Sequence, residues 1–128
     1  MNISKASKIS GLSIKTIRYY SDIHLVDPSE RKDSGYRIFN EKDIKKLIFV
    51  RRAREFGFSI SDCRELLDLY KNKKRSSITV KKIASKRLKE ILKKQQELQY
   101  LNDELTRLIS ICRGDNSPEC PIIDELSN

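Results

Sequence analysis

Apolar residues return at helical spacing in four short blocks and one long one. Ile3, Ala6 and Ile9 fall three apart and predict a short helix that Gly11 interrupts. Ser13 is placed to cap a second helix, in which Leu12, Ile17 and Tyr20 face inward while Lys15, Arg18, Tyr19 and Asp22 recur on the other side. After Asn40, Ile44, Leu47 and Ile48 predict a third helix that ends at Gly57, with Arg51, Arg52 and Arg54 crowding its far end. Ser59, with Asp62 three residues on, starts a fourth, whose stripe is Ile60, Cys63, Leu66, Leu67 and Tyr70. Between the second and third helices, VDPSERKDSGYRIFN loses the helical period. Its turn residues flank two short strand-like pieces and predict a hairpin. From about Thr79 to Ile111 there is neither Gly nor Pro, enough for one helix of about 45–50 Å. Along it Ala84, Ile91, Leu98 and Leu105 repeat every seven residues, and Leu88, Gln95, Asn102 and Ile109 follow four later. That is a heptad seam with a polar pair in one position.

Composition agrees with a mainly α-helical chain of one modest core plus an appendage. Of 128 residues 35% are charged and 38% hydrophobic, Gly and Pro are scarce and Trp is absent. The longest apolar run, Leu47–Val50, is far short of a membrane span, and MNISKASKISG lacks a hydrophobic signal region, so a cytoplasmic location is expected. Charge is uneven. Residues 1–75 hold 18 Lys/Arg against 10 Asp/Glu, a net of +8, whereas residues 76–128 hold 9 against 8. A basic head on a nearly neutral body is the footprint of a protein that meets a polyanion, although scattered lysines also occur on ordinary solvated surfaces. The arrangement inside the head favours the polyanion. Two short helices about a Gly-containing turn, the second basic and exposed, form a helix-turn-helix, and Arg31, Lys32, Tyr36 and Arg37 make the hairpin a cationic wing.

These features resemble the DNA-binding domain of the MerR family of transcriptional regulators. ISKASKISGLSIKTIRYYSDIHLV and DSGYRIFNEKDIKKLIFVRRAREFGFSISDCREL carry the resemblance without a gap from Met1 to about Tyr70. The resemblance implies a winged helix-turn-helix on double-stranded promoter DNA. Lys15, Arg18 and Tyr20 would contact DNA from the recognition helix, Arg31, Tyr36 and Arg37 from the first wing, and Arg54 from the second. It further implies a homodimer joined by an antiparallel coiled coil, and activation in which the protein distorts DNA so that RNA polymerase engages the promoter. His24 departs from the glycine usual in the family; a left-handed, adapted helix end is expected there.

Three cysteines remain. Cys63 lies on an apolar stripe and reads as a core residue. Cys112 and Cys120 bracket CRGDNSPEC, which the residues alone leave open as a small disulfide, a metal site or coincidence. A reducing compartment disfavours the disulfide. Structural zinc and iron–sulfur clusters ask for about four ligands, and this tail has two cysteines and no histidine. Two thiolates suffice for a soft monovalent ion. CRGDNSPECPII resembles the metal loop of the copper-efflux regulators within the MerR family. That implies Cys112 and Cys120 as ligands for one Cu(I) per subunit, or Ag(I) or Au(I). It also implies Ser77 as a selectivity residue at the place where divalent-metal relatives carry cysteine; the plainer role for Ser77 is to cap the long helix. Arg113 departs from the usual proline, and a cation there would favour the thiolate. The expected organisation is a DNA-binding domain over residues 1–75, a dimerisation helix over 76–111 and a metal loop with a short tail over 112–128. Rival readings are a sensor of another thiophilic ion or of thiol redox state, and a non-specific architectural nucleic-acid-binding protein. With one His and neither a nucleophile–base constellation nor a phosphate-cradling glycine loop, an enzyme is not expected.

Overall fold

The computed structural model describes residues 1–128. In chain order the elements are α1 (Ile3–Ser10), α2 (Ile14–Asp22), β1 (Glu30–Arg31), β2 (Arg37–Ile38), α3 (Glu41–Glu55), α4 (Ile60–Lys71), α5 (Ser77–Ile111) and α6 (Pro121–Ser127). Two compact units divide the chain, Met1–Ala84 and Ser85–Asn128.

Local chemistry places most helix ends of the first unit. Asn2, Ser13 and Ser59 each accept a hydrogen bond from the backbone N–H three residues on, so α1, α2 and α4 begin where the sequence offers a short polar side chain. At α3 the cap is reciprocal: Asn40 accepts from the Asp43 N–H while the Asp43 carboxylate accepts from the Asn40 N–H. The same carboxylate also accepts from Ser29 N at 3.0 Å, which ties the start of the hairpin to the start of α3. Between α1 and α2 the chain turns at Gly11 with φ 80, and a Cβ there would meet the Arg51 guanidinium at 3.1 Å. The left-handed φ is what favours glycine, since the guanidinium end of Arg51 has only to shift by a few tenths of an ångström.

Beneath α1–α4 lies one core. Ile17, Val26, Phe39, Leu47, Val50, Cys63 and Leu67 are fully buried, with Ala6, Tyr20, Leu25 and Ile44 around them. Two inward assignments are corrected: Tyr70 is 46% exposed, and Ile9 is 48% exposed with Ser10 buried instead. At 100° per residue a position six along has turned well away from Ile3, whereas a position seven along has nearly returned to it. Tyr70 sits at the rim, packed on Phe49 with ring centroids 4.9 Å apart. The hairpin is minimal: Glu30 pairs with Ile38 and Arg31 with Arg37, antiparallel. Its base is closed by Met1, whose amine donates to Phe39 O at 2.8 Å and whose carbonyl accepts from Phe39 N at 2.7 Å.

The second unit consists of most of α5, the loop after it and α6. Leu108 is its buried residue. The heptad positions Leu88, Leu98, Leu105 and Ile109 are all exposed, Leu98 by 64%. Ion pairs three residues apart, Arg87–Glu90, Lys94–Glu97 and Glu104–Arg107, run along the helix. No helix of the chain is long and apolar enough to cross a membrane.

The Asp43 carboxylate generates a stability prediction. Asp43→Ala leaves the N–H groups of Ser29 and Asn40 without their partner and is expected to cost about 2–4 kcal/mol. Asn40→Ala removes only the cap and is expected to cost about 1 kcal/mol. Urea unfolding of both variants, followed by circular dichroism, measures the difference.

Candidate nucleic-acid interface and metal loop

Of the seven residues expected on DNA, Lys15, Arg18 and Tyr36 are exposed and their side chains make no hydrogen bond or ion pair within the chain. Arg18 of α2 lines a cavity of about 90 Å³ with Ile3, Gly35, Tyr36 and Arg37, so the fold brings the recognition helix and the wing tip to one place. Gly35, at φ 82, forms the tight turn that presents Tyr36, with its N–H donating to Lys32 O at 2.7 Å.

The other three cations also serve inside the head. Arg31 Nη2 donates to Ser21 Oγ at 2.9 Å. Arg37 pairs with Asp22 at 2.8 Å, and its side chain is only 17% exposed. Arg54 Nη1 donates to Phe58 O at 2.7 Å, across the turn into α4. Arg31 and Arg37 brace the hairpin against α2, and Arg54 braces the end of α3 against the turn into α4.

Tyr20 is a correction. Its ring is buried, 5% exposed, with burial raising the phenol pKa and Arg54 partly opposing the rise. Tyr19 is the exposed aromatic of α2, 51% accessible. The reason is helical phase: Tyr20 lies three residues beyond Ile17, on the core stripe, while Tyr19 lies four beyond Lys15 on the outer one.

His24 takes the left-handed conformation expected of it, φ 56. Its Nδ1 lies 2.9 Å from Asp27 Oδ1, and the carbonyls of Ile23 and His24 both accept from Arg64, at 2.9 Å each. Nothing in the residue pattern singles out Arg64, which is one exposed arginine among many and meets its partners forty residues away along the chain.

In the second unit the loop after α5 brings its two cysteines together. Sγ of Cys112 and Sγ of Cys120 are 3.8 Å apart. That is nearly twice a disulfide bond, and within the span of two metal–thiolate bonds of about 2.3 Å each. Cys112 ends α5, its N–H donating to Leu108 O at 3.2 Å. Cys120 immediately precedes α6, with Pro121 as the first helical residue. Backbone N–H groups of Ile123 and Ile122 are directed toward the Cys120 sulfur without a regular side-chain cap, and together with Cys112 they lower its pKa against a smaller desolvation. Between the cysteines, Gly114 takes φ 63, Ser117 N donates to Asp115 Oδ1, and Glu119 N donates to Ser117 Oγ. Arg113 is not the cause of the lowered thiol pKa: its guanidinium spans the loop to Glu119 at 3.1 Å and lies 3.8 Å from Asp115. Carboxylates take the charge that was expected to favour the thiolate.

Ser77 is the first residue of α5 and is exposed. The capping role falls to Ser76 instead, whose Oγ accepts from Ile78 N at 3.2 Å. Cys63 is fully buried as expected, and burial pushes its thiol pKa up, with Arg54 partly offsetting.

Thiol reactivity should follow these surroundings. With the reduced protein and iodoacetamide at neutral pH, Cys120 is expected to alkylate faster than an ordinary thiol, with the pH midpoint of its rate shifted down from that of an unperturbed cysteine. Cys63 is expected to react only after unfolding. Peptide mass mapping over a time course measures both.

Residues 1–70 match the MerR HTH family regulatory protein signature, and residues 44–108 match the MerR DNA-binding signature. The chain is 48% identical to the HTH-type transcriptional regulator HmrR of Rhizobium leguminosarum over 100% of its own length and 98% of that protein's. It is 42% identical to the HTH-type transcriptional regulator CueR of Salmonella typhimurium, covering 99% of this chain and 92% of that one. Its fold is similar to the crystal structure of the transcription regulator PbrR691 from Ralstonia metallidurans CH34 in complex with lead(II), with TM-score 0.83, 26% identity and 98% of each chain covered. With these matches spanning the head and the long helix, the chain belongs to the MerR HTH family of transcriptional regulators, which are DNA-binding proteins and not enzymes.

Proposed function

We propose that this protein is a homodimeric, metal-responsive regulator that senses Cu(I), or Ag(I) or Au(I), through Cys112 and Cys120. The observation that carries the reading is the pair of sulfurs 3.8 Å apart in a loop where no group of three or more His, Cys, Asp or Glu gathers as a ligand set. A divalent ion such as Zn(II) asks for three or four donors; a soft monovalent ion is satisfied by two thiolates. The resemblance of CRGDNSPECPII to the copper-efflux loop points the same way. Cys112 and Cys120 would hold the ion, which would supply soft Lewis acidity to their thiolates. The N–H groups that face Cys120 favour its thiolate, and Arg113 with Glu119 ties the two arms of the loop.

Residues 76–111 are the dimerisation helix of this proposal, and residues 112–128 the sensing loop and tail. The exposed seam of α5 supports a second copy as its cover, because Leu88, Leu98, Leu105 and Ile109 form an apolar stripe too long for the chain to bury on itself. In an antiparallel pair the start of one α5 lies beside the end of the other, which brings the partner's loop toward Ser77. A serine there denies a divalent ion its third thiolate. The basic head sits on promoter DNA with Lys15, Arg18 and Tyr36 as free contacts, and Arg31, Arg37 and Arg54 along the wings. Deforming that DNA for RNA polymerase takes a few kcal/mol, which the metal-bound form gains through differential contacts. PbrR691, crystallised with lead(II), favours one second reading: a larger thiophilic ion on the same scaffold.

Two measurements test the proposal. Titration of the reduced protein with Cu(I) under strong thiol competition should show one ion per subunit. Cys112→Ser and Cys120→Ser are expected to lose that binding, Cys63→Ser to keep it, and Ser77→Cys to raise affinity for Zn(II) or Hg(II) more than for Cu(I). A tight Pb(II) complex with no competitive Cu(I) binding would transfer the reading to the larger ion. Analytical ultracentrifugation should give a dimer with or without metal, and Leu98→Asp, by burying a charge in the seam, should give monomer. Wild-type monomer at micromolar concentration would remove the coiled coil.

A further inference from the structure

The recognition helix ends in a turn with two weaknesses. α2 stops at Asp22, and the next residues leave the Ile23 and His24 carbonyls beyond the reach of any helical N–H. His24 then holds φ 56, a conformation that a residue with a side chain adopts under strain.

Arg64 meets both. Its Nη2 donates to Ile23 O and its Nη1 to His24 O, each at 2.9 Å, one fork closing over two successive carbonyls. No carboxylate pairs with this guanidinium, so its charge is directed to the carbonyl end of α2, where the helix dipole favours a cation. A planar fork can span two acceptors at fixed separation; the point charge of a lysine cannot. Around the same turn Arg31 holds Ser21, Arg37 holds Asp22, and Asp27 holds the His24 imidazole. Of these groups only Arg64 belongs to α4, and α4 leads through residues 72–76 into α5.

We infer that Arg64 is a positioning residue for sequence recognition: by clasping the C-terminal turn of α2 to α4, it fixes the orientation in which Lys15, Arg18 and Tyr19 are presented to the groove. Arg64 touches no base itself. Phosphate contacts tolerate small rotations of a helix, because a cation is attracted from many directions. Base-edge hydrogen bonds do not, so the clasp governs specific binding far more than general binding. His24 raises the demand on the clasp, since its left-handed backbone is strained where glycine would adopt it freely.

The test uses full-length protein and two duplexes: one selected from a random-sequence pool by the wild-type protein, and one of mixed sequence without the selected site. Arg64→Ala is expected to weaken binding to the selected duplex about tenfold or more, the scale of one mismatched base pair. Affinity for the mixed duplex, and its salt dependence, should stay within about twofold because the phosphate contacts are unchanged. Arg64→Lys, which keeps the charge and loses the fork, should fall between wild type and Arg64→Ala on the selected duplex. Circular dichroism and thermal melting establish folding, and Arg64→Lys carries the comparison if Arg64→Ala does not fold. The inference is overturned if both affinities fall in the same proportion or if specific binding is untouched.

Discussion

Burial of Phe39 sets the DNA-binding head in register. It is the largest fully buried side chain, and it stands where the hairpin gives way to α3. Its backbone bonds Met1 in both directions, and the next residue opens the capping box that starts α3. A ring lodged in the core thus fixes three things at once: how far the wing projects, where α3 begins and where α1 lies against α3. The Asp43 carboxylate, 4% exposed and accepting from Ser29 and Asn40, secures the same junction with polar bonds. Apolar burial supplies the driving force there, and satisfied backbone groups make one arrangement preferable to its neighbours.

The cations of the head divide by chemistry. Arg31, Arg37, Arg54 and Arg64 each reach an oxygen elsewhere in the fold. Lys15 and Arg18 do not. Guanidinium forks suit directional contacts with carbonyls and carboxylates, while unpaired cations keep their field for a polyanion. A protein that binds DNA through a small domain thereby uses one set of positive charges to hold its wings and keeps another for its partner. Arginines that brace the wing can still meet phosphate, since each guanidinium has five N–H donors and the bonds here use one or two.

Loop and head solve different problems. In the head, a buried Cys63 is held neutral by its surroundings; in the loop, Cys120 meets backbone N–H groups that favour its thiolate. The surroundings thus favour the thiol in one place and the thiolate in the other. The seam of α5 is a third case, in which apolar side chains remain exposed because the chain has nothing of its own to lay over them.

Periodicity alone located α1 to α4, the hairpin and the long helix, since apolar spacing and capping side chains are local properties of the chain. It also marked Cys63 as a core residue, and the loop motif paired Cys112 with Cys120. One phase error followed where a stripe was drawn too generously: Ile9 turned outward because six residues do not complete two helical turns, whereas Tyr20 faces inward as its spacing from Ile17 predicts, against the role that the resemblance implied. Ser76 rather than Ser77 caps α5, a distinction of one residue that adjacent serines cannot announce. The fates of the arginines were decided only by tertiary structure. Whether a guanidinium is free for DNA or bound to Ser21, Asp22, Phe58 or His24 depends on which carbonyls and carboxylates the fold carries to within 3 Å of it, and those lie four to forty residues away. Local sequence fixes where a helix starts and which side is apolar; only packing brings distant polar groups within hydrogen-bonding reach, because that attraction acts over a few ångströms and has no periodicity along the chain.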